Sequence, residues 1–126
     1  MRGTWSGTGT ARFEGGKSES LKCSAYYTGS GDVLKLALRC ATPGNKIEMR
    51  GQLKASGSSV SGSWEERTFN AEGSAAGSLS DGGVNLRISG AVSGSLSFQV
   101  SGSRQTVNLS TSGTALRGLS IGLGRN

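Results

Sequence analysis

The sequence predicts an all-β fold, a single antiparallel up-and-down β-barrel of about eight to ten strands. Apolar residues fall on alternate positions over most of the 126 residues, which is the period of a strand. The 22 glycines recur too often for any helix of three turns to persist. Short turn-forming segments separate the alternating runs at nearly even spacing, as in a meander. We therefore expect residues 1–126 to form one domain.

The first alternating run, residues 4–13, places Trp5 and other apolar or small residues on one face. The opposite face of this run carries Thr, Ser and Arg. The second and third runs, residues 21–27 and 34–40, repeat this division and flank the glycine-rich segment 29–32. Glycine and aspartate between two alternating runs are typical of a β-hairpin. These three runs therefore predict three consecutive antiparallel strands.

The fourth run, residues 47–54, alternates most regularly and follows a turn signal at residues 42–45 that contains Pro and Gly. Two shorter runs, 60–65 and 75–79, come next, and the second ends at the turn signal 81–83. Each is long enough for one strand. We count these as the fourth, fifth and sixth strands.

Four further runs complete the pattern, at residues 84–88, 96–100, 107–109 and 119–125. The pattern has roughly ten strands and no long connection, as in a meander. A meander leaves no unpaired strand edge when its first and last strands pair and close it into a barrel. The polar face is densely charged and the apolar face has few large residues, which favours a barrel with its apolar face inside.

Many inward positions are Gly or Ala. Such residues allow strands to bend sharply, or else leave room for a ligand. The second alternative predicts a carrier that binds a small hydrophobic or amphipathic molecule, or a lipid, inside the barrel. Gly62 would then border open volume. The side chains expected to line the pocket are Trp5, Phe13, Leu36, Met49, Trp64, Ile88 and Phe98. The competing hypothesis is a structural or protein-interaction domain of the cell envelope, with a filled barrel; the glycine-rich inner face slightly favours the carrier.

Cys23 and Cys40 are the only cysteines, and both lie on the apolar faces of consecutive predicted strands. They are roughly symmetric about the intervening turn, so a hairpin places them opposite each other. Opposed residues can have Cα atoms about 4.5 Å apart, within the range of a disulfide. A disulfide, and hence an oxidising compartment, is favoured over two buried free thiols.

Gly3-Thr4-Trp5 resembles the Gly-X-Trp signature of the calycins, the lipocalin and avidin-like ligand-binding barrels. In that group a basic residue late in the chain packs across the Trp at the closed end of the barrel. Antiparallel closure brings the end of the last strand to the start of the first. Because Arg125 falls on the apolar face of the last strand, we expect it to lie over Trp5.

Several segments look like parts of small exported proteins of Gram-negative bacteria whose activity is not known. The resemblance implies a periplasmic or secreted location. No signal peptide precedes the first strand, so we expect the chain to be the mature part of an exported protein. The segments are Leu21-Lys22-Cys23, Leu38-Arg39-Cys40-Ala41, Gly62-Ser63-Trp64-Glu65 and Arg104-Gln105-Thr106-Val107.

Composition argues against catalysis, metals and cofactors. The chain has no His, so a Ser nucleophile would lack its usual base, and two thiols do not make a metal site. Among the carboxylates, Glu66 shares a face with Trp64, and desolvation there could raise its pKa. It lies near a strand end, however, where a partly solvated Glu paired with an Arg is commoner than a catalytic one.

The formal net charge is +6, with Lys and Arg dispersed along the chain. Without a series of stacking aromatics this does not indicate nucleic-acid binding. It favours a solvated basic surface and leaves open a weak affinity for anionic lipid headgroups or polyanions. No apolar run approaches the roughly 18 residues of a membrane-spanning helix.

Overall fold

The computed structural model of the protein describes residues 3–67, 70–112 and 115–126. The described part contains ten strands and one short 3-10 turn at Glu14–Gly16. The strands are β1 (Gly3–Phe13), β2 (Ser18–Ser30), β3 (Val33–Ala41), β4 (Lys46–Ser56), β5 (Ser59–Glu66), β6 (Ala71–Ser80), β7 (Gly83–Gly90), β8 (Ser93–Ser101), β9 (Arg104–Ser112) and β10 (Leu116–Arg125).

Each strand pairs antiparallel with its neighbours in the chain, and β10 returns to pair with β1. The closed order confirms the predicted up-and-down barrel. At the closure Trp5 is in register with Arg125 on one side and with Ala25 of β2 on the other. Each of the ten described strands is therefore paired on both sides, which removes the hazard of edge-to-edge association.

The alternating apolar positions all point inward and form one core. Trp5, Ala11 and Val107 are fully buried, and Phe98 and Leu119 are 1% exposed. The outward positions carry Ser, Thr and charged residues, as the sequence predicts. In the described part of the chain, no helix is long and apolar enough to cross a membrane.

Several inward glycines allow close approach of neighbouring strands. At Gly62 an added Cβ would lie 1.8 Å from the carbonyl oxygen of Gln52 and 2.9 Å from the Cα of Leu53. Gly77 meets the carbonyl oxygen of Asn85 in the same way. The expectation that Gly62 borders open volume is therefore wrong. Its lack of a side chain permits backbone packing and provides no space for a ligand.

The disulfide is confirmed: Cys23 and Cys40 are bonded, directly opposed in the β2–β3 register, with Cα atoms 4.1 Å apart. The bridge links two strands inside the barrel wall and indicates an oxidising, non-cytoplasmic compartment.

The expected contact at the closure is also confirmed. The guanidinium carbon of Arg125 lies 4.5 Å from the ring centroid of Trp5, the geometry of a cation–π interaction. Since the indole is fully buried, Arg125 covers it at the rim.

Candidate functional site

The barrel interior encloses little space. One apolar cavity has a volume of about 50 Å³ and lies at the end where β4 starts and β5 stops. A void of this size admits water at most, and an apolar lining favours a dry one. We call this region, defined by Met49, Trp64, Glu66, Ala71 and Ile88, the cavity end. At the other end an open, mostly apolar recess of about 170 Å³ lies between strands β3 to β7. Binding sites for drug-sized ligands enclose about 300 Å³ or more, so both volumes are too small for one.

The seven side chains predicted to line a pocket do not converge on one volume. Met49, Trp64 and Ile88 border the 50 Å³ cavity. The other four lie elsewhere. Trp5 packs under Arg125 at the opposite end of the barrel, and Phe98 meets Tyr27 edge to face at 6.2 Å between ring centroids.

Leu36 is buried beneath a groove on the outer surface, and Phe13 is partly buried against the core. Ligand binding by any of the seven residues stays a prediction.

At the opposite end of the interior, Trp5, Tyr27, Gln105 and Arg125 close the side where β10 meets β1, and we call this group the sealed end. The hydroxyl of Tyr27 donates a hydrogen bond to Oε1 of Gln105, which is 1% exposed. Burial raises the pKa of Tyr27 far above its ordinary value, so the phenol stays protonated. The Nε2 of Gln105 has no hydrogen-bond partner among the described residues. Sequence reasoning missed this pair, although period two already places Gln105 on the inner face of β9.

Glu66 is buried at the cavity end and is held by the backbone. Its Oε2 accepts a hydrogen bond from the backbone N–H of Glu48. A carboxylate engaged in this way ties β5 to β4. The described residues contain no cluster of three or more His, Cys, Asp or Glu side chains able to hold a metal ion.

An open concave region lies on the outer surface, across β2 to β6. This outer groove has a volume of about 870 Å³. Tyr26 lies in the wall of this groove and is 53% exposed. Among the described residues it is the one large hydrophobic side chain that is exposed. Trp64 separates the groove from the interior cavity and donates from Nε1 to the carbonyl oxygen of Ser74 at 3.0 Å. Further lining residues are Thr28, Lys35, Ala37, Arg50, Gln52, Ser63, Glu65 and Glu72.

Cations that are dispersed in the sequence gather in space on the outer face of β2, β3 and β4. The pairing register arranges this face as five successive cross-strand rows, and every row contributes a Lys or an Arg. All six side chains are exposed. We call them the cation track: Lys22 and Lys46, then Arg39, Arg50, Lys35 and Lys54 in successive rows.

The outer face of β8 to β10 is different in composition. Its central positions are uncharged, with charged groups confined to Arg104 and Arg117 near the strand ends. The uncharged outward residues are Ser95, Ser97, Gln99, Thr106, Asn108, Ser110, Ser120 and Gly122. Six of the cations of the barrel are therefore gathered on one wall, although they are dispersed along the sequence.

No protein-family model and no curated protein sequence matches the chain. Among solved structures, the crystal structure of Rv2717c from M. tuberculosis is similar, with a TM-score of 0.71 and 13% sequence identity. The match covers 99% of this chain and 92% of that one. A likeness at this identity shows a shared barrel fold alone. The resemblances to calycins and to small exported Gram-negative proteins stay predictions.

Proposed function

We propose that this protein is a non-enzymatic, periplasmic or secreted binding domain that works through its outer surface. The barrel is the rigid support, and the outer groove with its cation track is the working face. Of the two functions predicted from the sequence, this proposal corresponds to the interaction domain of the cell envelope.

The volume of the interior is the observation that carries the proposal. The interior recesses of about 50 and 170 Å³ are both smaller than the roughly 300 Å³ that a lipid or drug-sized molecule needs, whereas the open outer groove offers about 870 Å³. Trp5 and Arg125 fill the side of the barrel where β10 meets β1, which further supports a filled barrel.

Two observations support a binding role outside the cytoplasm. The disulfide is stable in an oxidising compartment, which agrees with the location implied by the exported-protein resemblance. The sequence lacks His, and the buried carboxylate of Glu66 is already occupied by a backbone N–H. A hydrolytic nucleophile requires a general base, and neither a His nor the Glu66 carboxylate is there to act as one.

A carrier is the second candidate, and one observation favours it. The interior cavity is lined by carbon, and three of the predicted ligand residues, Met49, Trp64 and Ile88, converge there. An apolar ligand at this end would need the cavity to widen around it.

Native mass spectrometry of protein purified from the periplasm without denaturation separates the two candidates. We expect the mass of the unliganded chain and no saturable change in Trp fluorescence on titration with oleate. A stoichiometric co-purifying lipid, or saturable quenching that Trp64→Phe abolishes and Trp5→Phe leaves intact, would establish the carrier instead.

A further inference from the structure

Six exposed cations without ion-pair partners line one wall of the barrel. Within residues 3–67, 70–112 and 115–126, the ion pair within 4.0 Å is that of Arg117 in β10 with Glu14 after β1, at 3.7 Å, and it involves none of the six. Two acids lie in register beside the track: Glu48 opposite Arg39, and Glu65 of β5 opposite Arg50. Six cations against two acids leave the track with a net positive charge, which attracts an anionic partner.

The spacing of the track suits a linear partner. Successive rows on one face of a sheet are two residues apart, which is about 6.6 Å along the strand. Five rows therefore extend about 26 Å from the Lys22–Lys46 row to Lys54. The charges follow one another along the strands, as do the charges of an extended polyanion.

The composition of the wall favours a chain over a membrane surface. Lys35 and Arg50 lie in the outer groove, and Lys22, Arg39 and Lys46 line a second, equally shallow depression of about 390 Å³. The two depressions follow one another along the strands and form a strip. Membrane-surface proteins insert large apolar side chains, and this wall has only Tyr26 to offer.

Tyr26 and the polar groove residues add the chemistry of sugar recognition. Tyr26 lies in the same row as Arg50, at the centre of the track. The face of an aromatic ring is electronegative and receives the C–H groups of a sugar ring. Gln52, Ser63 and the acids Glu65 and Glu72 stand beside it in the groove and can hydrogen-bond to hydroxyl groups.

We propose that the outer groove and the cation track bind a linear anionic polysaccharide. Its carboxylate or phosphate groups follow the six cations, and one sugar ring stacks on Tyr26. The disulfide places the protein where envelope or extracellular glycans occur and nucleic acids are not the usual polyanion. This inference rests on the proposed function, since it names the partner of the same outer surface.

The test measures binding of polygalacturonate by calorimetry, with neutral dextran as the uncharged comparison. Arg39→Gln/Arg50→Gln removes two charges from the track, and Arg87→Gln/Arg104→Gln removes two from other parts of the outer surface. We expect binding to polygalacturonate alone, weakening with salt. The track variant should bind polygalacturonate about tenfold more weakly. The slope of log affinity against log salt concentration should also become shallower, by up to about one unit for each cation removed. The control variant should change by less than about twofold.

The aromatic contribution has its own pair of variants. Tyr26→Ala should weaken binding several-fold, and Tyr26→Phe, which keeps the ring, should retain it. An equal loss in the two double variants would reduce the interaction to net charge and overturn the proposal. An unaltered affinity in Tyr26→Ala would overturn the assignment to a polysaccharide.

Vesicles of phosphatidylglycerol and phosphatidylcholine in equal parts provide the remaining arm. Binding to vesicles without binding to polygalacturonate would identify a membrane surface and contradict the inference. A lipid found inside the barrel contradicts the proposed function but leaves the polygalacturonate titration unchanged. If the wild-type protein does not bind polygalacturonate and its barrel holds no lipid, this inference is contradicted but the proposed function is not.

Discussion

The two ends of the barrel interior differ in how they fill space. At the sealed end a buried Trp ring, a guanidinium and a phenol–amide pair fill the side where β10 meets β1, while an open recess of about 170 Å³ remains on the β3–β7 side. At the cavity end most of the lining is aliphatic, and a carbon-lined void of about 50 Å³ remains. Both ends are built by the same alternation of residues on the same ten strands.

The difference shows that closure of a barrel does not determine its packing. Where strand ends bring together large aromatic and polar groups, their contacts are specific and a substitution leaves partners unsatisfied. Where small side chains meet, a substitution changes volume alone. The sealed end should therefore dominate stability, and the following variants test that comparison.

The largest difference is expected between the two tryptophans. Trp5→Ala removes a fully buried ring and should lower the free energy of unfolding by about 3–5 kcal/mol. Trp64→Ala removes a partly exposed ring and one hydrogen bond, so its cost should be smaller. Urea denaturation of both variants measures the difference. Equal losses would show that the two ends contribute alike.

The buried phenol–amide pair should give the next effect. Tyr27→Phe leaves Oε1 of Gln105 without its donor, in addition to the unpartnered Nε2, and should cost about 1–3 kcal/mol. Tyr27→Phe/Gln105→Met, which removes both polar groups, should recover much of this loss. If the double variant is less stable than the single variant, the pair is not the source of the effect.

The same residue predicts a dependence on pH. Burial raises the folded-state pKa of Tyr27, whereas the unfolded phenol ionises near its ordinary value of about 10. Its contribution to stability is therefore complete below about pH 10 and is lost as the pH rises above that value, by up to about 1.4 kcal/mol per pH unit. Denaturation midpoints of wild type and Tyr27→Phe at pH 8 and pH 11 measure it. The variant should show the smaller decrease, and parallel decreases would contradict the assignment.

How much of this was predictable from sequence varies with the physical origin of each feature. Period two in β4 and the symmetric spacing of Cys23 and Cys40 about their turn are local signals, and they predicted the barrel and the disulfide. The contact of Arg125 with Trp5 followed from antiparallel closure, since it needs only the parity of the first and last strands.

Features that depend on the curvature of the wall were not predictable. Gly62 has the same period-two signature whether its neighbour is an open cavity or the backbone of β4, and only the approach of the strands distinguishes them. The interior volume depends on that same curvature. The cation track requires the register of three strands at once, because Lys22 and Lys46 are distant in the chain yet share a row.

A smaller effect is expected at the rim of the sealed end. Arg125→Met keeps an aliphatic cover over Trp5 but removes the cation, and should cost about 0.5–1 kcal/mol. Arg87→Met, on the outer surface of β7, removes the same charge without an aromatic partner in register and is the matched control. If thermal unfolding shifts equally in both variants, net charge rather than the cation–π contact is responsible.

The smallest expected effect has the opposite sign and belongs to the cavity end. Ala71 borders the void, and Ala71→Val adds two methyl groups beside it. Filling unoccupied apolar volume should stabilise the fold by about 0.5 kcal/mol, the lower range for such changes. Valine also favours strands, so Ala76→Val, at an exposed position of the same strand, measures that contribution separately. A gain in Ala71→Val beyond that of Ala76→Val locates the empty volume at this end. A loss of stability would mean that the lining is already closely packed, and the contrast between the two ends would disappear.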